Sequence, residues 1–200
     1  MFKRFLRLLL AVAFLDAASP AFTTHYEVQR FADCNAASFY AADHPLVGLF
    51  SYRLQAQYAG TSITPSGSLG FRATTRVRYA LDPNHSQMSL PKWSWRKMTA
   101  SQQVDLLDFV SALRNHEIGH VEIAQHGIAG RESTITVLAA TPAQAKSRLA
   151  AAGSDQLRTL YAEILQAEKT YDRVTSHGMQ QRDGPAYGFR GGPNVEFGCR

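Results

Sequence analysis

Residues 99–120 read TASQQVDLLDFVSALRNHEIGH, and this stretch organises the rest of the chain. Thr99 and Gln102 form a Thr-x-x-Gln capping box, in which each residue satisfies a backbone amide of the other at a helix start. Behind it Val104, Leu106, Leu107, Phe109, Val110 and Leu113 recur at helical spacing, so a long helix is expected to begin near Ala100. That helix runs directly into His116-Glu117-Ile118-Gly119-His120. At roughly 100° per residue the two histidines lie about 40° apart, on the side that also carries Phe109 and Leu113. Both imidazoles are therefore expected to face the interior.

Histidines four apart on a helix can reach one metal ion, and a glutamate directly after the first sits where it can bind and deprotonate water. Given seven His and seven Glu in the chain, the pattern would arise by chance in only about one per cent of such sequences. A pair of satisfied core histidines beside a surface glutamate is the bland alternative. It has to explain a carboxylate on the interior side of an otherwise apolar helix, which is costly without a partner. Zn2+ is the expected cofactor, with Glu117 as catalytic base.

A catalytic zinc commonly takes three protein ligands and keeps a fourth position for water, so one more donor is needed. His126 stands ten residues after His116, the place of the third ligand in the metzincin pattern, but Ile123 occupies the position of that pattern's turning glycine. On a continuing helix His126 would point about 80° to the other side of His116. His177 lies in Tyr171-Asp172-Arg173-Val174-Thr175-Ser176-His177-Gly178, where the last helical segment ends and the chain can turn a side chain back. There Tyr171 could donate to a developing oxyanion, and Asp172 or Thr175 could orient a ligand imidazole. Glu163 and Glu168 are further carboxylate candidates, although glutamates on helices are ordinarily solvated.

With 200 residues, 45% of them hydrophobic, the chain can bury one core and is too short for two comfortable domains. Its start is basic at Lys3, Arg4 and Arg7, apolar from Leu8 to Leu15, and small-residued through Ala21. This is the order of an export signal over residues 1–21, leaving a single domain over 22–200 in the periplasm or outside the cell. The apolar stretch is far below the about 20 residues that span a bilayer, so no stable membrane insertion is expected after cleavage. Losing Lys3, Arg4, Arg7 and Asp16 takes the formal charge from +5 to +3. Without a concentrated cationic footprint, nucleic-acid binding is not expected. Cys34 and Cys199 are the only cysteines, and in an oxidising compartment two thiols tend to pair.

From Tyr26 to Trp95 runs of Thr, Ser, Tyr and Val between turn signals read as strands, most clearly Phe71 to Leu81, where apolar and arginine-rich positions alternate. After the histidine helix, Thr141-Pro142 reads as an N-cap followed by Pro at the first helical position. Leu149, Leu157, Leu160, Tyr161, Ile164 and Leu165 then continue at helical intervals, with a break suggested by Gly153-Ser154-Asp155. Residues 178–200 have no period and read as a loop-like tail. The expected architecture is α+β: an antiparallel sheet from the N-terminal half packed on two long helices that carry a zincin-like site.

The export signal, the β-rich first half ending in Leu90-Pro91-Lys92-Trp93, the segment Asn115-His116-Glu117-Ile118-Gly119-His120, and Tyr171-Asp172-x-x-Thr175-x-His177-Gly178 together resemble the bacterial predicted secreted zinc-dependent proteases, a family long listed as a domain of unknown function. The resemblance covers most of the mature chain. It implies zinc at His116 and His120, Glu117 as base and His177 as third ligand, and it names no substrate. The reaction expected from these residues is hydrolysis of a peptide or protein by a zinc-bound water, with Glu117 as general base and Tyr171 as an oxyanion donor. An amidase acting on cell-wall peptides and a non-catalytic zinc-braced binding module are the alternatives. On this reading His177→Ala weakens zinc affinity far more than His126→Ala in competition titrations with a chromogenic chelator. The opposite ranking would favour the metzincin arrangement.

Overall fold

A computed structural model describes residues 22–44, 48–179 and 197–199. The expected export signal, residues 1–21, and most of the expected tail loop, at 180–196 and 200, lie outside the described residues. In chain order the elements are β1 (Thr23–Phe31), α1 (Cys34–Asp43), β2 (Leu49–Ser51), β3 (Leu54–Pro65), β4 (Phe71–Leu81), β5 (Gln87–Trp95), α2 (Ala100–Ile128), β6 (Glu132–Ala139) and α3 (Pro142–Thr175). The architecture is α+β, dominated by the two long helices α2 and α3.

Local chemistry sets their boundaries. The Thr99 hydroxyl accepts from the Gln102 amide and the Gln102 side chain accepts from the Thr99 amide, so α2 starts where the capping box places it. It stops at Ile128, ahead of Gly130, whose φ of 67° is one that glycine adopts freely. Thr141 caps α3, with Pro142 at its first position. In β4 the alternation is realised: Ala73, Thr75, Val77 and Leu81 are buried while Arg72, Arg76 and Arg78 face outward.

Three features differ from the sequence expectation. The strands form two three-stranded sheets, ordered β1-β5-β2 and β3-β4-β6, and β1 runs parallel to β5. The stretch from Tyr26 to Trp95 includes a helix, α1, capped by the Asp33 carboxylate on the Ala36 amide. Only Cys34 and Ala37 of α1 are buried, so it shows no apolar stripe to read. The third difference is that α3 continues through Gly153-Ser154-Asp155 without a break. Gly153 packs against the ring and hydroxyl of Tyr58 on β3, where any Cβ would collide. A close approach, not a helix end, requires that glycine.

The larger hydrophobic cluster joins β5 to α2 and the second half of α3 through Met88, Leu90, Trp93, Phe109, Ile123 and Ile164. A smaller cluster of Ala73, Val77, Ile135, Ala139, Ala145 and Leu149 seats the first half of α3 on the β3-β4-β6 sheet. Thus α3 bridges both layers, and its second half is held against α2. Among the described residues no helix is long and apolar enough to cross a membrane.

Cys34 and Cys199 form a disulfide across 165 residues of sequence. It anchors Phe197, whose ring lies 5.8 Å from Trp93 and 5.4 Å from Phe109. Chain entropy sets an upper bound of about 5 kcal/mol on what so long a closure contributes. The Cys34→Ala/Cys199→Ala protein is expected to lose about 2–5 kcal/mol in urea unfolding relative to the oxidised protein. No loss would mean that the core alone fixes the C-terminus.

Candidate metal centre

The inward side of α2 carries the site. His116 and Glu117 are buried and His120 nearly so, as their positions beside Phe109 and Leu113 require. Opposite them stands Asp172, in the last turns of α3. Its Oδ1 lies 3.3 Å from His116 Nε2 and 3.0 Å from His120 Nε2, and the donor atoms of these three residues all fall within 4.8 Å of one another. His177 Nδ1 is 3.7 Å from the same Asp172 oxygen.

These distances fit a zinc centre. Ligand bonds of about 2.0–2.2 Å in tetrahedral array put neighbouring donor atoms about 3.4 Å apart. The spacings of 3.0 and 3.3 Å from Asp172 Oδ1 to the two imidazole nitrogens lie just below that value. Two imidazoles with one carboxylate are, moreover, a donor set that leaves a coordination position open. Without a metal, each Nε2–H can donate to Asp172 Oδ1 at these distances.

Electrostatics follows from burial and from this one carboxylate. Burial alone would raise Asp172, but the hydrogen bonds from His116 and His120 outweigh it and hold the carboxyl well below the usual range. Burial lowers His116, and Asp172 only partly offsets this; in His120 the pull of Asp172 and the nearby carboxylates wins, and its pKa is raised. Glu117 is pushed up to about 7 by burial, against the pull of His120 and a hydrogen bond from the Phe50 amide. That amide belongs to β2, so the short strand holds the Glu117 carboxylate in place.

Gly48, β2 and Tyr52 form one wall of a cavity of about 340 Å3, with His116, Glu117 and His120 on another and Glu168, Asp172 and His177 on a third. Glu168 is also pushed up to about 7 by burial, and burial together with Glu168 raises the Tyr52 phenol far above its ordinary value.

Of the residues singled out in the sequence, His116, Glu117, His120, Glu168, Asp172 and His177 line this cavity. Tyr171 lies behind it. Its ring stacks on His116 at 4.9 Å and meets His120 edge-on at 5.1 Å, and its hydroxyl donates to the His116 carbonyl at 3.4 Å. Gly119 makes room for that ring, since a Cβ there would strike the Tyr171 hydroxyl. Tyr171 thereby fixes both imidazoles. His126 is exposed near the end of an α2 that does not turn, and Glu163 pairs with Arg131 at 3.1 Å on the surface; neither lines the cavity. Asp172, expected to orient a ligand, stands among the donors themselves. Its four-residue spacing from Glu168 on one helix face was the available signal.

Residues 51–178 match the family model described as "Bacterial protein of unknown function (DUF922)". The chain belongs to this family. The matched region runs from the end of β2 through His177, so it spans every donor named above. No curated protein and no solved structure matches the chain.

In the metal-free protein both raised carboxyls have a stability signature. Unfolded, they titrate near 4.5; folded, near 7, so between these values the native state binds more protons and stability falls as pH rises. His120, also raised, acts in the same direction; His116, lowered, opposes it; and Asp172, lowered, matters only at more acid pH, where its contribution is lost. Chelator-treated protein is therefore expected to unfold at progressively lower urea from about pH 5 to about pH 7. A flat or rising course would contradict this balance.

Proposed function

We propose that the protein is an exported zinc-dependent peptide hydrolase. The observation that supports this reading best is the position of Glu117, a buried carboxylate lining the same cavity as the His116, His120 and Asp172 donors. A purely structural metal site fills its coordination with protein and has no use for a base beside it.

Zinc held by His116, His120 and Asp172, with His177 at hand as a further donor, would supply Lewis acidity that acidifies a water and polarises a peptide carbonyl. The remaining chemistry belongs to the chain. Glu117, poised near neutrality, takes a proton from the attacking water on a carboxylate oxygen and passes it to the departing nitrogen. The water's hydroxyl joins the acyl carbon as the C–N bond breaks, so a carboxylic acid and an amine leave. Asp172 keeps both imidazoles aimed at one point, and Tyr171 holds them from behind. We assign Tyr171 this positioning part, because its hydroxyl is directed at the His116 carbonyl.

Peptide bonds are the natural substrate of such a centre, and cell-wall peptides fall within the same chemistry. The reading predicts one zinc per chain in the mature protein, lost in His116→Ala. Glu117→Gln is expected to retain the zinc and the fold while hydrolysis of a peptide library falls by about 10²–10⁴. Equal hydrolysis by the variant would overturn the role of Glu117. A wild type that binds zinc and cleaves nothing in the library would favour a zinc-braced binding module.

A further inference from the structure

One end of the cavity is not used by the chemistry above. On α3, Tyr161, Leu165, Glu168 and Asp172 follow one another at helical spacing along the wall. Glu168 is only 8% exposed, and its Oε1 has no hydrogen-bond partner among the described residues. The same holds for the hydroxyl of Tyr52, a residue that lines the same cavity. The two groups are near enough for each to act on the other's ionisation, yet no hydrogen bond of ordinary length and angle joins them. A desolvated carboxylate oxygen without an ordinary hydrogen bond is costly, and a cation relieves that cost most directly.

We infer that Glu168 and Tyr52 form a subsite for the free α-ammonium group of a peptide, making the protein an aminopeptidase. This rests on the hydrolase reading above for its reaction, though not for its binding. Glu168 and Asp172 leave α3 one turn apart, a rise of about 6 Å. An ammonium about 2.8 Å from the Glu168 carboxylate has its own residue's carbonyl carbon about 2.5 Å further on, about 5.3 Å in all. The scissile carbonyl at the Asp172 end therefore belongs to the residue whose amine Glu168 holds. A lysine side-chain ammonium would reach roughly 5 Å too far.

The surroundings suit an organic cation better than a second metal. Tyr52 stacks on Phe50 at 5.3 Å and lies 5.7 Å from Tyr161, so aromatic faces, not further oxygen ligands, complete this end. One carboxylate and one phenol fall short of the four or more donors that a divalent ion takes. Bond by bond, water cleaves the first peptide link, giving a free amino acid and a peptide shorter by one.

The test uses the mature protein in metal-free form, so that an amine cannot be held by zinc. Binding of L-leucinamide and of N-acetyl-L-leucinamide is measured by calorimetry for wild type, Glu168→Gln and Tyr52→Phe, with circular dichroism as a check on folding. The wild type is expected to prefer the free amine at least about tenfold. Glu168→Gln should bring the two ligands within about threefold, and Tyr52→Phe should cut the preference by about threefold. Equal binding of both ligands by the wild type, no binding of the free amine, or an unchanged preference in a folded variant would each overturn the subsite. So would a second zinc per chain that disappears in Glu168→Gln. If zinc-loaded protein hydrolyses blocked and free peptides alike, the hydrolase stands and the subsite falls. If it cleaves nothing while Glu168 still selects the free amine, the subsite stands and the hydrolase reading falls.

Discussion

The Asp172 carboxylate, wedged between His116 and His120, is the contact on which the site depends. It is the point at which α3 meets the histidine-bearing face of α2, at 3.3 and 3.0 Å from the two ring nitrogens. Everything around it secures that approach. Tyr171, the preceding residue, packs flat on His116, and Gly119 removes the one Cβ that would prevent it. The large core cluster clamps the second half of α3 to α2, so the spacing between carboxylate and imidazoles is set by packing and not by the polar groups themselves. A half-buried charge of this kind is held most securely when its partners are fixed, and here two are.

How much of this was legible in the sequence depended on how local the signal was. The capping box at Thr99 and Gln102, the Thr141-Pro142 helix start and the alternation from Phe71 to Leu81 are short-range patterns, and each formed where it was read. The inward orientation of His116 and His120 followed from helical geometry alone. Sheet partners did not follow, because strand order is set by long-range pairing that no local pattern encodes. The pairing of β6 with β4 and the parallel alignment of β1 with β5 are of that kind. Helix α1 went unread because only two of its residues are buried, leaving no stripe.

Gly153 and Asp172 share a feature: the part each plays lies in what another segment brings to it, which no pattern within its own segment encodes. Gly153 suggested a break, yet Tyr58 of β3 occupies the space a side chain would need. Asp172 reads in the sequence as a residue that orients a neighbouring imidazole, and α2 presents two imidazoles to it directly. Glu168 belongs to the same class: a glutamate on a helix is ordinarily solvated, and only the tertiary packing around α3 buries this one.

The end of α3 adds the last constraint. Ser176, His177 and Gly178 have φ of 48°, 52° and 89°, three consecutive residues in the left-handed region, two of which are not glycine. That conformation costs roughly 1–2 kcal/mol for each non-glycine residue, so neighbouring contacts must hold it. Thr175 does so: its buried hydroxyl donates to the Tyr171 carbonyl at 2.8 Å and accepts from the Gly178 amide at 3.3 Å. The His177 amide in turn donates to the Asp172 carbonyl at 2.8 Å. The outcome of this strain is that the chain reverses at once and His177 returns to within 3.7 Å of the Asp172 carboxylate instead of continuing into solvent along the helix. A relaxed helix end would give up that placement, which is a physical reason for Thr175, Asp172 and His177 to occur together at this spacing.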